Sequence, residues 1–125
     1  MRFLQSKIML FFLICFSVST FQAQNEAKSA DDLLKESIYN KSKQEVLNYS
    51  LKDFDTLFLD FLSKQNNPKT TLSKEEFYTY TMKIAIFSER QAKLFKSKKA
   101  EAQANTEDWK SRTYEDYLNQ KNIKK

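Results

Sequence analysis

The chain has 125 residues and a formal net charge of +5, with no histidine, no glycine, one proline and one cysteine. The absence of histidine excludes Ser-His and Cys-His nucleophile pairs and the usual zinc ligand sets. The absence of glycine excludes phosphate-cradling loops and disfavours the tight hairpin turns of an antiparallel β fold. Because good helix formers such as lysine, glutamate, alanine and leucine are frequent, the composition predicts an all-α protein.

The first 23 residues have the pattern of a secretory signal peptide. Arg2 and Lys7 form a positive n-region, and residues 8–18 form an 11-residue, predominantly apolar run. That run matches an h-region and is shorter than the ~20 apolar residues that a membrane span needs. We therefore expect an exported protein, with an uncleaved membrane anchor as the alternative.

Cleavage is expected after Ala23, because a small residue suits the last position before the cut; a cut after Ser19 is the alternative. Removal of the signal takes Cys15 with it, so no disulfide can form in the mature chain. Residues 24–125 are one domain's worth of sequence, and we expect a small antiparallel helical bundle of three to four helices with frayed termini and no membrane span.

The first predicted helix begins after Ser29, an N-cap with the acidic Asp32 three residues on. Residues 40–45 (NKSKQE) include no apolar side chain, so we expect them to interrupt the helix. Ser42 with Glu45 predicts a capping box for the next helix.

The second helix is predicted from apolar residues at spacings of three and four, the period of one helix face. It is expected to end at Asn67, because the residue before Pro68 is disfavoured in the α region. The residues on the predicted face are Leu47, Leu51, Phe54, Phe58, Phe61 and Leu62.

The third helix has a strong start signal. Ser73 and Glu76 match a capping box, and Leu72 and Phe77 stand where a hydrophobic staple packs. The predicted apolar stripe is Phe77, Tyr80, Ile84, Phe87 and Leu94, widened by Met82, Ile86 and Phe95.

The C-terminal region has weaker signals. Residues 96–105 either continue the third helix or turn near Ser97. Thr106 is the expected N-cap of a last helix, with Tyr114, Tyr117 and Leu118 on its apolar side. Residues 121–125 are expected to fray.

The candidate interaction surface combines a basic run with an aromatic group in the C-terminal half. Lysines of this density suit an anionic partner, and amphipathic rings are common in interfaces. A solvated helix face and ordinary core packing are the alternative interpretations. The residues are Arg90, Lys93, Lys96, Lys98, Lys99, Trp109, Tyr114 and Tyr117.

No metal or cofactor site is expected. The Asp53-x-Asp55 pair resembles the start of a calcium loop, but the central glycine is missing and Lys64 stands at position 12. The four acidic pairs are assigned mainly to helix starts, where carboxylates complement the helix dipole. They are Asp31-Asp32, Glu75-Glu76, Glu107-Asp108 and Glu115-Asp116.

The expected partner is another protein or an anionic envelope component. Loss of Arg2 and Lys7 with the signal lowers the net charge from +5 to +3, and no nucleic-acid recognition fold is visible, so nucleic acid is not expected. The sequence thus predicts a non-enzymatic, protein- or surface-binding module of the bacterial cell envelope. An enzyme that uses carboxylates alone is a remote alternative.

A second alternative comes from a short resemblance. Leu72-Ser73-x-x-Glu76 resembles the Leu-Thr-x-x-Gln signature of small all-helical periplasmic stress chaperones, in one copy and with Ser for Thr and Glu for Gln. The resemblance implies a periplasmic chaperone or stress sensor, and it assigns no residue roles.

Overall fold

The computed structural model describes residues 28–124. This part of the chain is an all-helical bundle of five α-helices without a strand, which confirms the predicted fold class; the expected count of three to four helices is not confirmed. The helices are α1 (Ala30–Leu47), α2 (Leu51–Asn66), α3 (Lys74–Leu94), α4 (Lys99–Ser111) and α5 (Tyr114–Lys124), with a short 3-10 turn (Lys96–Lys98) before α4. The predicted signal peptide at residues 1–23 lies outside the described residues.

The predicted break at residues 40–45 is wrong, because α1 runs through it without interruption. Ser42 is buried between Ile38 and Val46, one turn to either side on the same helix face. A polar residue thus completes the inward-facing stripe of α1, at the place where the lack of apolar residues predicted a break. The partner proposed for its capping box, Glu45, instead forms an ion pair with Lys83 at 2.9 Å.

The second helix begins at Leu51, where a different capping box stands. The Asp53 backbone N–H donates to Ser50 Oγ (3.1 Å), and the Ser50 N–H donates to Asp53 Oδ2 (3.0 Å). Asparagine, tyrosine and serine at residues 48–50 separate the two helices.

The predicted start of the third helix is confirmed. The Glu76 backbone N–H donates to Ser73 Oγ (3.1 Å), and the Ser73 N–H donates to Glu76 Oε1 (3.2 Å). Leu72 and Phe77 are both buried in the main core cluster, where a staple would put them.

The helix boundaries after α3 differ in part from the prediction. The chain turns at Lys96–Lys98, as one of the two alternatives expected. Thr106 is not an N-cap: it is buried within α4, and its hydroxyl donates to the Ala102 carbonyl at 2.8 Å. The last helix follows Thr113, whose Oγ1 accepts from the Asp116 N–H at 3.1 Å.

The expected fraying of the C-terminus is wrong at Lys121. This side chain is buried, and its ammonium group donates to the carbonyls of Lys64 (3.2 Å) and Asn67 (2.5 Å). These carbonyls stand at the C-terminal end of α2, where the helix dipole favours a cation. Lys121 therefore anchors α5 to the end of α2.

The long helix α3 is the centre of the bundle and packs against α2, α4 and α5. The ring pairs Phe54–Phe87 (4.0 Å between centroids) and Phe61–Phe77 (6.1 Å) show that α2 runs antiparallel to α3. The C-termini of α1 and α3 lie at one end, because Asp31 bonds to Tyr78 and Tyr39 bonds to Glu89 further along both helices.

The core is built mainly from aromatic rings. The ring of Phe77 lies 4.9 Å from that of Tyr117, 5.5 Å from that of Tyr78 and 6.0 Å from that of Tyr114. Full burial of one such side chain contributes roughly 1.5–3 kcal/mol, and ring pairs at these separations add about 0.5–1.5 kcal/mol each. Together with its contact to Phe61, Phe77 thereby joins α2 and α5 to α3.

Tyrosine hydroxyls satisfy backbone groups at the helix ends. Tyr78 donates to Asp31 Oδ2 (2.6 Å) and accepts from the Tyr114 N–H (3.0 Å). The Tyr114 hydroxyl donates to the Leu72 carbonyl, and the Tyr117 hydroxyl accepts from the Leu72 N–H, each at 2.8 Å. Burial and the Asp31 hydrogen bond raise the pKa of Tyr78 to about 12.

Replacement of Tyr78 by phenylalanine is expected to lower the free energy of unfolding by about 1–3 kcal/mol, because the Tyr114 N–H loses its acceptor in a partly buried position. Urea denaturation measures this change. The matched control is Tyr80→Phe, which removes a hydroxyl that donates to Asp60 and accepts from the Lys64 ammonium group; it should cost less because both partners are side chains that water can reach. An equal loss in both variants would contradict the assignment.

Stability is also expected to fall in acid. The backbone N–H of Ser50 lowers the pKa of Asp53, that of Ser73 lowers the pKa of Glu76, and the Tyr80 hydroxyl lowers the pKa of Asp60. The unfolded chain therefore binds protons more readily than the folded one, so this stabilisation is complete above the ordinary pKa values of 3.8 (Asp) and 4.5 (Glu) and is lost as the pH falls through the folded values.

Urea midpoints measured from about pH 7 down to about pH 2.5 test this direction. The Asp53→Asn, Glu76→Gln double variant, which loses both capping carboxylates, should show a shallower fall below pH 4.5. A midpoint that rises in acid would be incompatible with lowered carboxylate pKa values.

Candidate functional site

The aromatic half of the predicted surface lies largely inside the bundle. Tyr117 is only 4% exposed, which corrects its assignment to an interaction surface. Tyr114 is half-buried and bonded to Leu72. Core packing, the alternative interpretation from the sequence, is what the structure shows for these two rings.

Trp109 is also packed against the core. Its ring meets the rings of Phe58 (6.0 Å) and Phe61 (5.7 Å) edge-on, and the Arg112 guanidinium stacks 3.6 Å from its centroid. Trp109 stands ten residues after Lys99 on α4, about 15 Å along the axis at 1.5 Å per residue. The rings and the lysines therefore do not form one patch.

The four predicted lysines lie together on the surface. Lys93, Lys96, Lys98 and Lys99 are exposed at the end of α3, in the 3-10 turn and at the start of α4. Residues 93–99 (KLFKSKK) contain no acidic residue. Within residues 28–124, none of the four ammonium groups has an ion-pair or hydrogen-bond partner, so their charge is directed at solvent.

Arg90 has a different role. Its guanidinium Nη1 donates to the Tyr49 carbonyl (2.6 Å), and its Cζ lies 5.5 Å from the Phe87 ring centroid. Arg90 is half-buried and ties the end of α3 to the turn between α1 and α2. It positions the lysine segment rather than belonging to the free basic surface.

A groove of about 610 Å³ lies beside these lysines, between α3 and α4. Buried Ala92 and Thr106 line it together with longer polar side chains. The polar residues are Glu89, Lys93, Lys96, Lys99, Gln103, Glu107 and Lys110. Four ammonium groups against two carboxylates leave the groove with a positive balance that suits an anion.

Glu89 is already engaged inside this groove. Its Oε2 accepts from the Tyr39 hydroxyl at 2.5 Å and lies 3.9 Å from the Lys110 ammonium nitrogen. Burial and this hydrogen bond raise the pKa of Tyr39 to about 12. The Glu89 carboxylate is thus directed toward α1 and Lys110, and it leaves Lys93, Lys96 and Lys99 unpaired.

The same end of the bundle exposes apolar side chains that the sequence pattern assigned to core stripes. Six large hydrophobic side chains are prominently exposed in the described part, and four of them lie here. They are Leu47 (39% exposed), Leu51 (68%), Leu94 (58%) and Phe95 (53%). Their neighbours in sequence were the available signal, because Lys93 and Lys96 directly flank Leu94 and Phe95.

The two turns that carry these side chains are adjacent. Leu47 and Leu94 line one small, largely apolar pocket of about 250 Å³. The hydrogen bond from Arg90 to the Tyr49 carbonyl connects the two turns. We call residues 93–99 together with residues 47–51 the basic end. It combines unpaired lysines with exposed leucine and phenylalanine.

Three of the four acidic pairs identified in the sequence lie at helix starts. No group of three or more His, Cys, Asp or Glu side chains among residues 28–124 is placed to hold a metal ion. The acidic pairs at residues 31–32, 75–76 and 115–116 stand in first turns of helices, where carboxylates complement the helix dipole. Glu107 and Asp108 are within α4, which corrects their assignment to a helix start.

Within residues 28–124, no helix is both long and apolar enough to cross a bilayer. In comparisons with other proteins, no family model, no curated protein and no solved structure matches the chain. No residue roles are therefore transferred from a relative, and the basic end is the feature from which a function is argued.

Proposed function

We propose that this chain is an exported, non-enzymatic binding module of the bacterial cell envelope, and that its basic end contacts an anionic partner. The observation that carries the proposal is the set of four exposed, unpaired lysines within residues 93–99. The signal-peptide pattern of residues 1–23 supports the location.

Electrostatics favours this end over the rest of the surface. Elsewhere, Lys74 and Lys64 are held by carboxylates at 2.8 Å and 3.3 Å. Exposed lysines without an ion pair, such as Lys41 and Lys69, are far apart in sequence.

At the basic end Lys93, in the last turn of α3, is followed within six residues by Lys96 and Lys98 in the 3-10 turn and by Lys99 at the start of α4. The helix dipole disfavours positive charge at that start. An anionic partner relieves the repulsion between these lysines and the unfavourable position of Lys99 at a helix start, so binding is favoured at the basic end.

The export part of the proposal is tested by the mature N-terminus. Expression of the full chain in a bacterial host, followed by mass spectrometry of the envelope fraction, should give a protein that begins at Gln24, or at Thr20 if the alternative cut is used. Recovery of a chain that retains residues 1–23 would contradict cleavage.

The binding part is tested with soluble polyanions. Dextran sulfate and poly-glutamate should bind at low salt, with neutral dextran as the negative probe, and binding should weaken as salt screens the charges. Loss of two lysine charges in Lys96→Gln, Lys98→Gln is expected to weaken binding at least about tenfold, at about 1 kcal/mol per charge. Calorimetric titration measures the dissociation constants.

The matched control changes two exposed lysines elsewhere, Lys41→Gln and Lys69→Gln, and lowers the net charge equally. This pair should retain most of the affinity because it leaves the basic end intact. Equal losses in the two double variants would show that net charge alone drives binding and would contradict a site at the basic end. No binding by either polyanion would also count against it.

A further inference from the structure

We propose that the partner of the basic end is the surface of a lipid bilayer with anionic headgroups, into which Leu94 and Phe95 insert. This inference rests on the proposed function and names its partner. It starts from the coincidence of two features, unpaired lysines and exposed large apolar side chains, at one end of the bundle.

The sequence of residues 93–99 interleaves the two features. Leu94 and Phe95 are more than half exposed and stand between Lys93 and Lys96. Phe95 ends α3 in an extended conformation (φ −121°, ψ 94°), and the 3-10 turn with Lys98 follows immediately. Long lysine stems can run along an apolar layer while their ammonium groups stay at the headgroups. This is the composition of an interfacial anchor.

The neighbouring turn extends the same surface. Leu47 and Leu51 flank the turn between α1 and α2, and the Arg90 bond to Tyr49 holds that turn beside the end of α3. Four apolar side chains from two separate turns therefore stand at one end of the molecule. A bilayer can receive all of them because its apolar layer imposes no particular shape.

Other occupants satisfy only part of this surface. A polysaccharide pairs with the lysines but leaves Leu94 and Phe95 in water. A second copy of the chain covers the apolar side chains but brings four lysines against four lysines, and like charges in contact oppose association. An anionic bilayer meets both requirements, because headgroups pair with lysines and acyl chains receive leucine and phenylalanine.

The test is flotation of the purified exported protein with vesicles of phosphatidylcholine alone and of phosphatidylcholine with about 30% phosphatidylglycerol. We expect flotation with the anionic vesicles and little with the neutral ones. Leu94→Ser with Phe95→Ser should lower the vesicle affinity at least about tenfold through the lost apolar contact. The same variant should bind dextran sulfate as the parent does, since no charge changes.

The matched control is Leu33→Ser, an equally exposed leucine (54%) near the start of α1, at the other end from the basic end. It should leave the vesicle affinity unchanged. Thermal melting checks that each variant is folded. Because the substituted side chains are exposed, we expect every variant to keep the bundle intact.

Insertion itself is read by a local probe. In Phe95→Trp, brominated lipid should quench the emission of the added tryptophan, whereas Trp109 is packed against Phe58 and Phe61 and should be quenched little in the parent. Parent and variant differ only at residue 95, so the extra quenching reports the position of this side chain.

The outcomes separate the inference from the proposed function. Polyanion binding without vesicle binding overturns the bilayer and leaves the anionic partner in place, whereas failure with both overturns both. Vesicle binding that survives Leu94→Ser with Phe95→Ser, or that Leu33→Ser weakens equally, overturns insertion at this end. Absence of extra quenching in Phe95→Trp does the same.

Discussion

The packing of Phe77 is the interaction on which the rest of the bundle depends. Its ring joins Phe61 of α2 to the tyrosines of α5, and it stands one turn after the capping box that begins α3. A substitution there loses contacts to both α2 and α5, so its effect should spread beyond the local cost of about 3–5 kcal/mol for a buried phenylalanine replaced by alanine. The chain has a single cysteine, so no disulfide within the chain can add stability, and the contacts between aromatic rings are a main source of it.

Tyrosine hydroxyls make this aromatic core compatible with the helix ends around it. Leu72 stands in the connection before α3, where its N–H and carbonyl have no helical partners, and Tyr117 and Tyr114 provide them. The described side chains leave no buried polar atom unpaired, which removes a cost of about 1–3 kcal/mol per group. The same rings that fill the core therefore also close its edges.

The sequence predicted those features that local rules determine. The capping box at Ser73 and Glu76 was correct because both partners lie within one turn and nothing distant competes. Ser42 misled because burial between Ile38 and Val46 depends on what packs against α1, which periodicity cannot reveal. For the same reason the sequence pattern does not separate buried Tyr117 from exposed Leu94: both lie on apolar stripes, and the packing of other helices decides which stripe positions are covered.

The basic end differs from the rest of the described surface because it places several unpaired lysines beside exposed large apolar side chains. Nearby, Tyr39, Lys110 and Glu89 satisfy one another. At residues 93–99 four unpaired cations cluster at the junction of α3 and α4, and two large apolar side chains face water. Local features that reduce stability without a folding benefit are typical of functional sites. An anionic bilayer offers headgroups that pair with the lysines and an apolar layer that takes up leucine and phenylalanine. Binding to it therefore replaces both unfavourable features of the basic end with favourable contacts.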